Sequence, residues 1–207
     1  MILSDGYIVY DSFTEACGLV HAACWSHARR YFIEAERYDP TKVGIVLGYI
    51  RALFKVEDEV PEGNLDACLR ARPEVSKPIV DQLFSFFKEE LETTVLLPSN
   101  PFLQAVEYAA KREKELRVFL DNPAVPISTN HIERGFRPPA VGRKNWMLHI
   151  TEVGARHAAV FYSLIESCVL SGVNPNVYFT DVLQRMDTHP AADVHLLTPR
   201  RSMNAKS

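Results

Sequence analysis

The residues with the clearest chemical potential lie at positions 127–146, where the sequence reads ISTNHIERGFRPPAVGRKNW. One carboxylate, Glu133, stands there among polar, cationic and aromatic side chains: Asn130, Arg134, Arg137, Arg143, Lys144 and Trp146. If residues 129–137 form a helix, a rotation of about 100° per residue places the amide, Glu133 and the first two arginines on one face. Ile132 and Phe136 then point the opposite way, towards a core. A carboxylate among arginines on an anchored helix suits a metal ion that faces a phosphate backbone.

The same segment also fits a simpler interpretation, a solvated surface helix that carries a charge pair. Glu133 and Arg137 are spaced i, i+4, and such a pair contributes only about 0.3–0.5 kcal/mol to helix stability. A second acidic candidate, Asp5, follows residues that resemble the end of a strand. The dipeptide Asp5-Gly6 is also typical of a simple turn. From the residues alone, both interpretations of each carboxylate remain open.

Cys24 and His27 have the C-x-x-H spacing of half a zinc site, but no second pair follows to complete a tetrahedral set. We therefore predict a structural role, in which Cys24 and Trp25 end a buried strand. His27, Arg29 and Arg30 then begin a helix. The four scattered cysteines are interpreted as reduced thiols, as expected of a cytosolic protein.

The N-terminal pattern predicts a strand at residues 1–4, a short helix at about 9–17 and a buried strand at 19–24. Residues from 26 to about 120 are predicted to be helical, with interruptions near the prolines: Pro40-Thr41, Pro61–Asn64, Pro73 and Pro98–Pro101. The last helix of this block follows a cap at Ser99 or Asn100 and carries an apolar stripe: Phe102, Ala105, Val106, Ala109, Leu116, Phe119 and Leu120. Its charged KREKE segment is predicted to be a solvated face.

Residues 121–128 are predicted to be a linker, because two prolines interrupt them. A helix is predicted at 153–171, ending at Gly172, with four residues facing inward: Phe161, Leu164, Ile165 and Cys168. Another helix is predicted from Pro175 to about 187. The tail after Pro199 is predicted to be disordered.

Composition narrows the possible functions. A net charge of −3 and a pI near 6.2 exclude a uniformly basic nucleic-acid coat protein. Any DNA contact must rely on local basic patches, and residues 134–144 form the best candidate. No uninterrupted apolar stretch approaches the roughly 18–20 residues of a membrane span, so no membrane partner is expected. The expected location is the cytoplasm.

Segment 127–146 resembles the signature of the insertion-sequence-66 family of bacterial transposases. Ser128 and Thr129 stand where that family has Asp and Asn, and Phe136 replaces an aliphatic residue. Other matching segments follow the family's order along the chain: SDGYIVY at 4–10, CWSHARRYF at 24–32, LPSNPFLQAVEY at 97–108 and GARHAAVFYSLIESCVLSGVNPNVYFTDVLQRM at 154–186. The resemblance covers residues 5–197.

The resemblance implies a mostly helical α/β protein with a partial ribonuclease-H-like fold. In such transposases two aspartates and a glutamate hold Mg²⁺, and here Asp5 matches the second aspartate and Glu133 the glutamate. The basic residues around Glu133, with Asn130 and Trp146, would contact DNA at transposon ends and targets. His27 and Arg30 would lie near this site. The implied divisions are a partial core at 1–37, a helical insertion at 38–122, the glutamate helix with its basic segment at 123–152, a C-terminal helical segment at 153–199 and a disordered tail at 200–207.

The main departure concerns the first aspartate, which the family carries upstream of the segment matching Asp5. We therefore expect a truncated transposase that is inactive by itself, because Mg²⁺ demands near-ideal octahedral coordination and two ligands rarely organise it. LLTPRR at 196–201 also replaces the usual C-terminal ending of the family. The alternative is a regulatory fragment without catalysis, which binds DNA, a full-length transposase or another protein of the element.

Overall fold

The computed structural model describes residues 1–61, 63–93, 95–146 and 151–204, without the side chains of 144–146 and 202–204. The chain divides into two compact units, the first at residues 1–131 and the second at 132–207. Each unit is built around its own cluster of buried apolar residues. As the sequence predicts, the fold is mostly helical and contains a small sheet.

The first unit opens with a two-stranded parallel sheet. Strand β1 (Ile2–Ser4) leads into helix α1 (Ile8–Ala16), and strand β2 (His21–Ala23) returns beside β1. The register pairs Ile2 with His21 and Ser4 with Ala23. Gly18 ends the connection with a φ of 61°, which a residue with a side chain adopts rarely. The predicted strand–turn–helix–strand order is therefore confirmed.

Helices follow this sheet in the first unit: α2 (Trp25–Ala35), α3 (Pro40–Glu59), α4 (Leu65–Ala71), α5 (Lys77–Thr93), α6 (Pro101–Lys111) and α7 (Glu113–Asp121). Their shared core contains fully buried aromatic residues, among which Phe32 stacks on Phe87 at a centroid distance of 5.4 Å. The buried indole of Trp25 donates a hydrogen bond to the carbonyl oxygen of Leu116 at 2.9 Å. The sequence predicts that Trp25 ends the second strand. This prediction is wrong, because Trp25 is the first residue of α2.

Two predicted interruptions of the helical block differ from the structure. Pro73 does not break the helix, since it lies in a π-helical turn (Arg72–Ser76) that joins α4 to α5. Arg72 is buried there, and its guanidinium bonds both carboxylate oxygens of Glu57. The helix predicted from Pro101 to about 120 is instead divided at Arg112, whose φ of −107° and ψ of 19° depart from helical values. Asn100 caps α6 as predicted.

After a non-helical linker, the chain forms α8 (Asn130–Gly135) and α9 (Arg137–Trp146). The continuous helix predicted at 129–137 is therefore wrong, because Phe136 separates two shorter helices. Ile132 is 50% exposed and Phe136 is 65% exposed, so the predicted burial of these two side chains is also wrong. The linker itself is confirmed.

The second unit continues with α10 (Glu152–Leu170), α11 (Pro175–Arg185), a 3-10 helix (Ala191–Leu197) and α12 (Pro199–Asn204). Its core is small and consists of Cys168, Tyr178, Val182 and Leu197. Phe161, predicted to face inward, is 50% exposed and packs its ring against Phe179. The predicted disordered tail is helical as far as residue 204. Within the described ranges, none of the helices combines the length and apolarity needed to cross a membrane.

Candidate active site

Asp5 occupies the turn that follows β1, where its carboxylate is exposed. Oδ1 accepts a hydrogen bond from the backbone N–H of Tyr7 at 3.1 Å, which closes a local turn. Gly6 adopts a φ of 86°, a conformation that L side chains rarely take. The Asp5-Gly6 turn is therefore confirmed, and it presents a carboxylate at the C-terminal end of a strand.

Two side chains from the α6–α7 junction hold the backbone of this turn. The hydroxyl of Tyr108 donates to the carbonyl oxygen of Asp5 at 3.2 Å, and Nη2 of Arg112 donates to that of Gly6 at 2.8 Å. Burial raises the pKa of Tyr108 to about 12, so this hydroxyl keeps its proton at neutral pH. A Cβ atom at Gly6 would collide with the Tyr108 hydroxyl. Close approach and positive φ therefore both require glycine.

Sequence reasoning missed Arg112, because it assigned the whole KREKE segment to a solvated face. The Arg112 side chain is only 15% exposed, whereas Lys111 fits the prediction with 76% exposure. One signal was available in the sequence: Arg112 continues the i, i+3, i+4 spacing of the apolar stripe through Ala105, Tyr108 and Ala109. A cation on the apolar face of a helix calls for a buried partner.

Glu133 lies in the second unit on α8, and its side chain is exposed. Arg134 follows it on the same helix, while Arg137 and Arg143 belong to α9; all three arginines are exposed. The side chains of Lys144 and Trp146, also predicted to bind DNA, lie outside the described residues.

Glycine at position 135 lets another element of the second unit approach α8 closely. A Cβ atom at Gly135 would press against the carboxylate of Glu166 on α10. The helix that carries Glu133 therefore lies close to α10, and a side chain at position 135 would require the Glu166 side chain to move.

Residues 127–129, which precede α8, are hydrogen-bonded within the first unit. Their partners lie near the end of the sheet that Asp5 follows. The backbone N–H of Cys24 donates to the carbonyl oxygen of Ser4 at 3.0 Å. The Cys24 sulfur accepts hydrogen bonds from the backbone N–H and the hydroxyl of Thr129, both at 3.3 Å. The backbone N–H of Trp25 also donates to the carbonyl oxygen of Ile127 at 3.1 Å. Residues 127–129 are thus hydrogen-bonded to Cys24 and Trp25, the two residues that follow β2.

These contacts give Cys24 a structural role and leave other predicted residues unassigned. Asn130, the first residue of α8, is exposed immediately after the anchored segment. His27 is half-buried on α2, and Arg30 on the same helix is exposed. The supporting role of His27 and Arg30 stays a prediction.

The donor chemistry of the two candidate carboxylates suits a hard cation. Asp5 and Glu133 are both exposed and both offer the oxygen ligands that Mg²⁺ prefers. Within the part of the chain that the structure describes, no group of three or more His, Cys, Asp or Glu side chains forms a metal-binding cluster. The donor type therefore fits Mg²⁺, whereas a complete set of ligands is not assembled among these residues.

Comparison with known proteins supplies the family. The sequence model described as "Transposase IS66 family" matches residues 1–157, and that of the "IS66 C-terminal element" matches 163–199.

Relatives in Sinorhizobium fredii (strain NBRC 101917 / NGR234) include the uncharacterized proteins y4hP and y4qI. The y4hP protein is 29% identical over 200 residues, which are 90% of this chain and 36% of y4hP. The y4qI protein is 28% identical over 204 residues, 94% of this chain and 38% of y4qI. The chain thus spans little more than a third of these relatives, and no solved structure matches it.

Proposed function

Because this chain belongs to the IS66 family of transposases, we propose that it serves DNA transposition, with Asp5 and Glu133 as acidic ligands for Mg²⁺. The proposed reaction is metal-dependent cleavage and transfer of DNA strands. The proposed framework is a partial ribonuclease-H-like core, with the β1–β2 sheet and α1 as its described part. Both carboxylates fall within the residues that the family match covers.

The proposal rests mainly on the hydrogen bonds that connect Thr129, through Cys24, to the end of β1, which Asp5 follows. Thr129 binds the sulfur of Cys24, and Cys24 binds the backbone of Ser4, the residue before Asp5. Helix α8 begins at the next residue, and Glu133 is the fourth residue of that helix. The anchored segment that leads into α8 supports the assignment of Glu133 as the second acidic ligand.

Bound Mg²⁺ would supply a Lewis acid that activates a water or 3′-hydroxyl and neutralises the leaving oxygen in an in-line displacement. The chain's own residues would bind and orient the DNA. Arg137 and Arg143 are exposed cations and suit phosphate contacts, while Asn130 and Arg134 flank Glu133 on α8. Lys144 and Trp146 belong to the same proposed DNA-binding segment.

We also propose that this chain does not cleave DNA by itself. The family resemblance implies three carboxylates, and two of them find matches here. Mg²⁺ usually keeps several waters but requires near-octahedral geometry, so a pair of carboxylates holds it weakly. A third ligand, from a longer polypeptide or a second protein, would complete the site.

Two assays test this function. The purified chain is incubated with transposon-end DNA and Mg²⁺, and we expect no strand cleavage. In a longer family member that shows strand transfer, Asn at the position matching Asp5, or Gln at the position matching Glu133, should lower strand transfer by about 100-fold or more, because each removes a metal ligand. Metal-dependent transfer by the 207-residue chain, lost in Glu133→Gln, would overturn the proposed inactivity. Full activity of both substituted relatives would overturn the proposed site.

A second candidate, a DNA-binding regulatory fragment without catalysis, is favoured by the exposure of the arginines on α9. DNA affinity should then fall steeply with added salt, because phosphate contacts release counterions. Arg137→Gln and Arg143→Gln should each reduce the slope of log K against log [salt] by about 1. Arg156→Gln is the matched control, since this exposed arginine pairs with Glu152 on α10. Binding that ignores salt would exclude this candidate for DNA.

A further inference from the structure

A partly buried polar network lies beside the Asp5 turn, and nothing in the proposed chemistry uses it directly. Its centre is Arg112, whose Nη1 and Nη2 donate to the two carboxylate oxygens of Asp11 at 3.0 and 2.9 Å. The same Nη2 donates to the carbonyl oxygen of Gly6 at 2.8 Å. One guanidinium thus ties the turn after β1 to the first turn of α1.

The network continues inward from Asp11 to the sheet. Nδ1 of His21 lies 3.0 Å from Oδ1 of Asp11, and Nε2 of His21 lies 2.7 Å from the hydroxyl of Ser4. The Ser4 hydroxyl in turn accepts a hydrogen bond from the backbone N–H of Gly6 at 3.3 Å. These contacts form a closed ring that begins at the carbonyl oxygen of Gly6 and ends at the backbone N–H of the same residue, which follows Asp5.

This arrangement resembles a Ser–His–Asp triad in its connectivity, but it is not suited to nucleophilic attack. The Ser4 side chain is buried, and its hydroxyl oxygen already accepts the Gly6 N–H. Asp11 is neutralised by a bidentate arginine, which such triads do not require. The geometry serves to hold a backbone in place.

We propose that Arg112 is the positioning residue for Asp5, acting through the carbonyl oxygen of Gly6 and the carboxylate of Asp11. This inference rests on the proposed function, in which Asp5 is a metal ligand. Arg112 does not touch the carboxylate of Asp5. It fixes the peptide next to it, while Tyr108 fixes the carbonyl oxygen of Asp5 itself. Because the carbonyl oxygens of Asp5 and Gly6 are both held, the backbone that carries the Asp5 carboxylate is fixed. This preorganisation favours metal binding.

Lysine cannot reproduce this role, because it is a single point charge without the planar fork of arginine. Arg112→Lys should therefore retain part of the attraction to Asp11 and lose the simultaneous bond to Gly6. Arg117 provides the matched control. Its guanidinium also bonds two carboxylates, Asp81 at 2.6 Å and Glu113 at 2.7 Å.

The test measures solvent exchange of the Gly6 and Tyr7 amides by NMR in the full chain, with the buried Val46 amide as reference. In Arg112→Gln we expect exchange at both turn amides to rise about tenfold, because the hydrogen bonds that hold the turn are lost. Arg112→Lys should give a smaller rise, and Arg117→Gln should leave both rates unchanged. Unchanged turn exchange in Arg112→Gln, or an equal rise in Arg117→Gln, would overturn the inference.

A second readout separates this inference from the proposed function. Mn²⁺ is added as a paramagnetic substitute for Mg²⁺, and broadening of the Asp5 side-chain carbon signal is followed in each variant. We expect the Mn²⁺ concentration needed for half-maximal broadening to rise several-fold in Arg112→Gln and to stay constant in Arg117→Gln. The same concentration in all three proteins would overturn the positioning role. The turn amides could exchange faster in Arg112→Gln while the Asp5 signal does not respond to Mn²⁺ in any of the proteins. That result would support the role of Arg112 in holding the turn and would count against the proposed metal site.

Discussion

The two units of this chain hold their candidate carboxylates by different means. In the first unit, the Asp5 turn is fixed by hydrogen bonds from Tyr108 and Arg112 and backed by an extensive aromatic core. In the second unit, Glu133 lies on a six-residue helix, and the core of the unit consists of four buried residues. The hydrogen bonds from Tyr108 and Arg112 indicate that the Asp5 turn is preorganised.

The largest expected effect concerns the core of the first unit. Phe32→Ala should lower the free energy of unfolding by about 3–5 kcal/mol, because it leaves a cavity between Phe87 and Phe102. Chemical denaturation followed by fluorescence of the buried Trp25 measures this change. Ile33→Ala, at a side chain that is 42% exposed, is the control and should cost far less. Equal costs for the two variants would contradict the core described for this unit.

A smaller loss is expected at the turn itself. Gly6→Ala should destabilise the chain by about 1–3 kcal/mol, because alanine disfavours the positive φ and its methyl group would meet the Tyr108 hydroxyl. Thermal unfolding measures the effect. Gly48→Ala on α3 is the control: its Cβ would meet no atom within 4 Å, and helical alanine should stabilise slightly. If both variants were neutral, the turn would not be held as the contacts indicate.

The second unit should respond less to loss of a single contact. Tyr178→Phe removes the hydrogen bond from its hydroxyl to the carbonyl oxygen of Leu197, which measures 2.8 Å. The expected cost is about 1 kcal/mol, measured as faster amide exchange at Cys168. Tyr10→Phe removes an exposed hydroxyl and should leave this rate unchanged. No change in the Tyr178 variant would show that the small core does not depend on this bond.

The smallest effect expected is a dependence of stability on pH. The hydrogen bond from Arg112 is the main reason why the pKa of Asp11 lies below its ordinary value of 3.8, and the charges of Arg112 and His21 act in the same direction against partial burial. A carboxyl whose pKa is lowered by folding stabilises the protein fully above that ordinary value, and the contribution disappears as pH falls through the folded pKa. The difference in unfolding free energy between the natural chain and Asp11→Asn should therefore shrink as pH falls from the ordinary carboxyl pKa of 3.8 through the lower folded pKa of Asp11. A constant difference would contradict the ion pair.

Local patterns predicted the elements that depend on nearby residues. The strand before Asp5, the break at Gly18 and the cap at Asn100 follow from turn chemistry and short-range periodicity. The same reasoning failed where contacts between residues far apart in the sequence determine the backbone conformation. Arg112 leaves helical geometry at the position where its side chain bonds Asp11, about one hundred residues earlier in the chain.

The candidate site shows the same division. Asp5 and Glu133 were found from their local motifs and the family resemblance, and their turn and helix are present in the structure. The residues that hold the Asp5 turn were not found, because Tyr108 and Arg112 approach it only through the fold. The exposure of Ile132 was also missed, since helical periodicity alone does not show which face is covered.

The most direct test of the central claim is whether Asp5 and Glu133 bind one metal ion. Mn²⁺ is titrated into the chain labelled with ¹³C at its carboxyl groups, and the Asp5 and Glu133 signals are followed together, with exposed Asp58 as the reference. We expect both candidate signals to broaden at one Mn²⁺ concentration, below that needed for Asp58, and Asp5→Asn to weaken the response of Glu133. Broadening of the two signals at unrelated concentrations, or no greater than that of Asp58, would contradict a shared site.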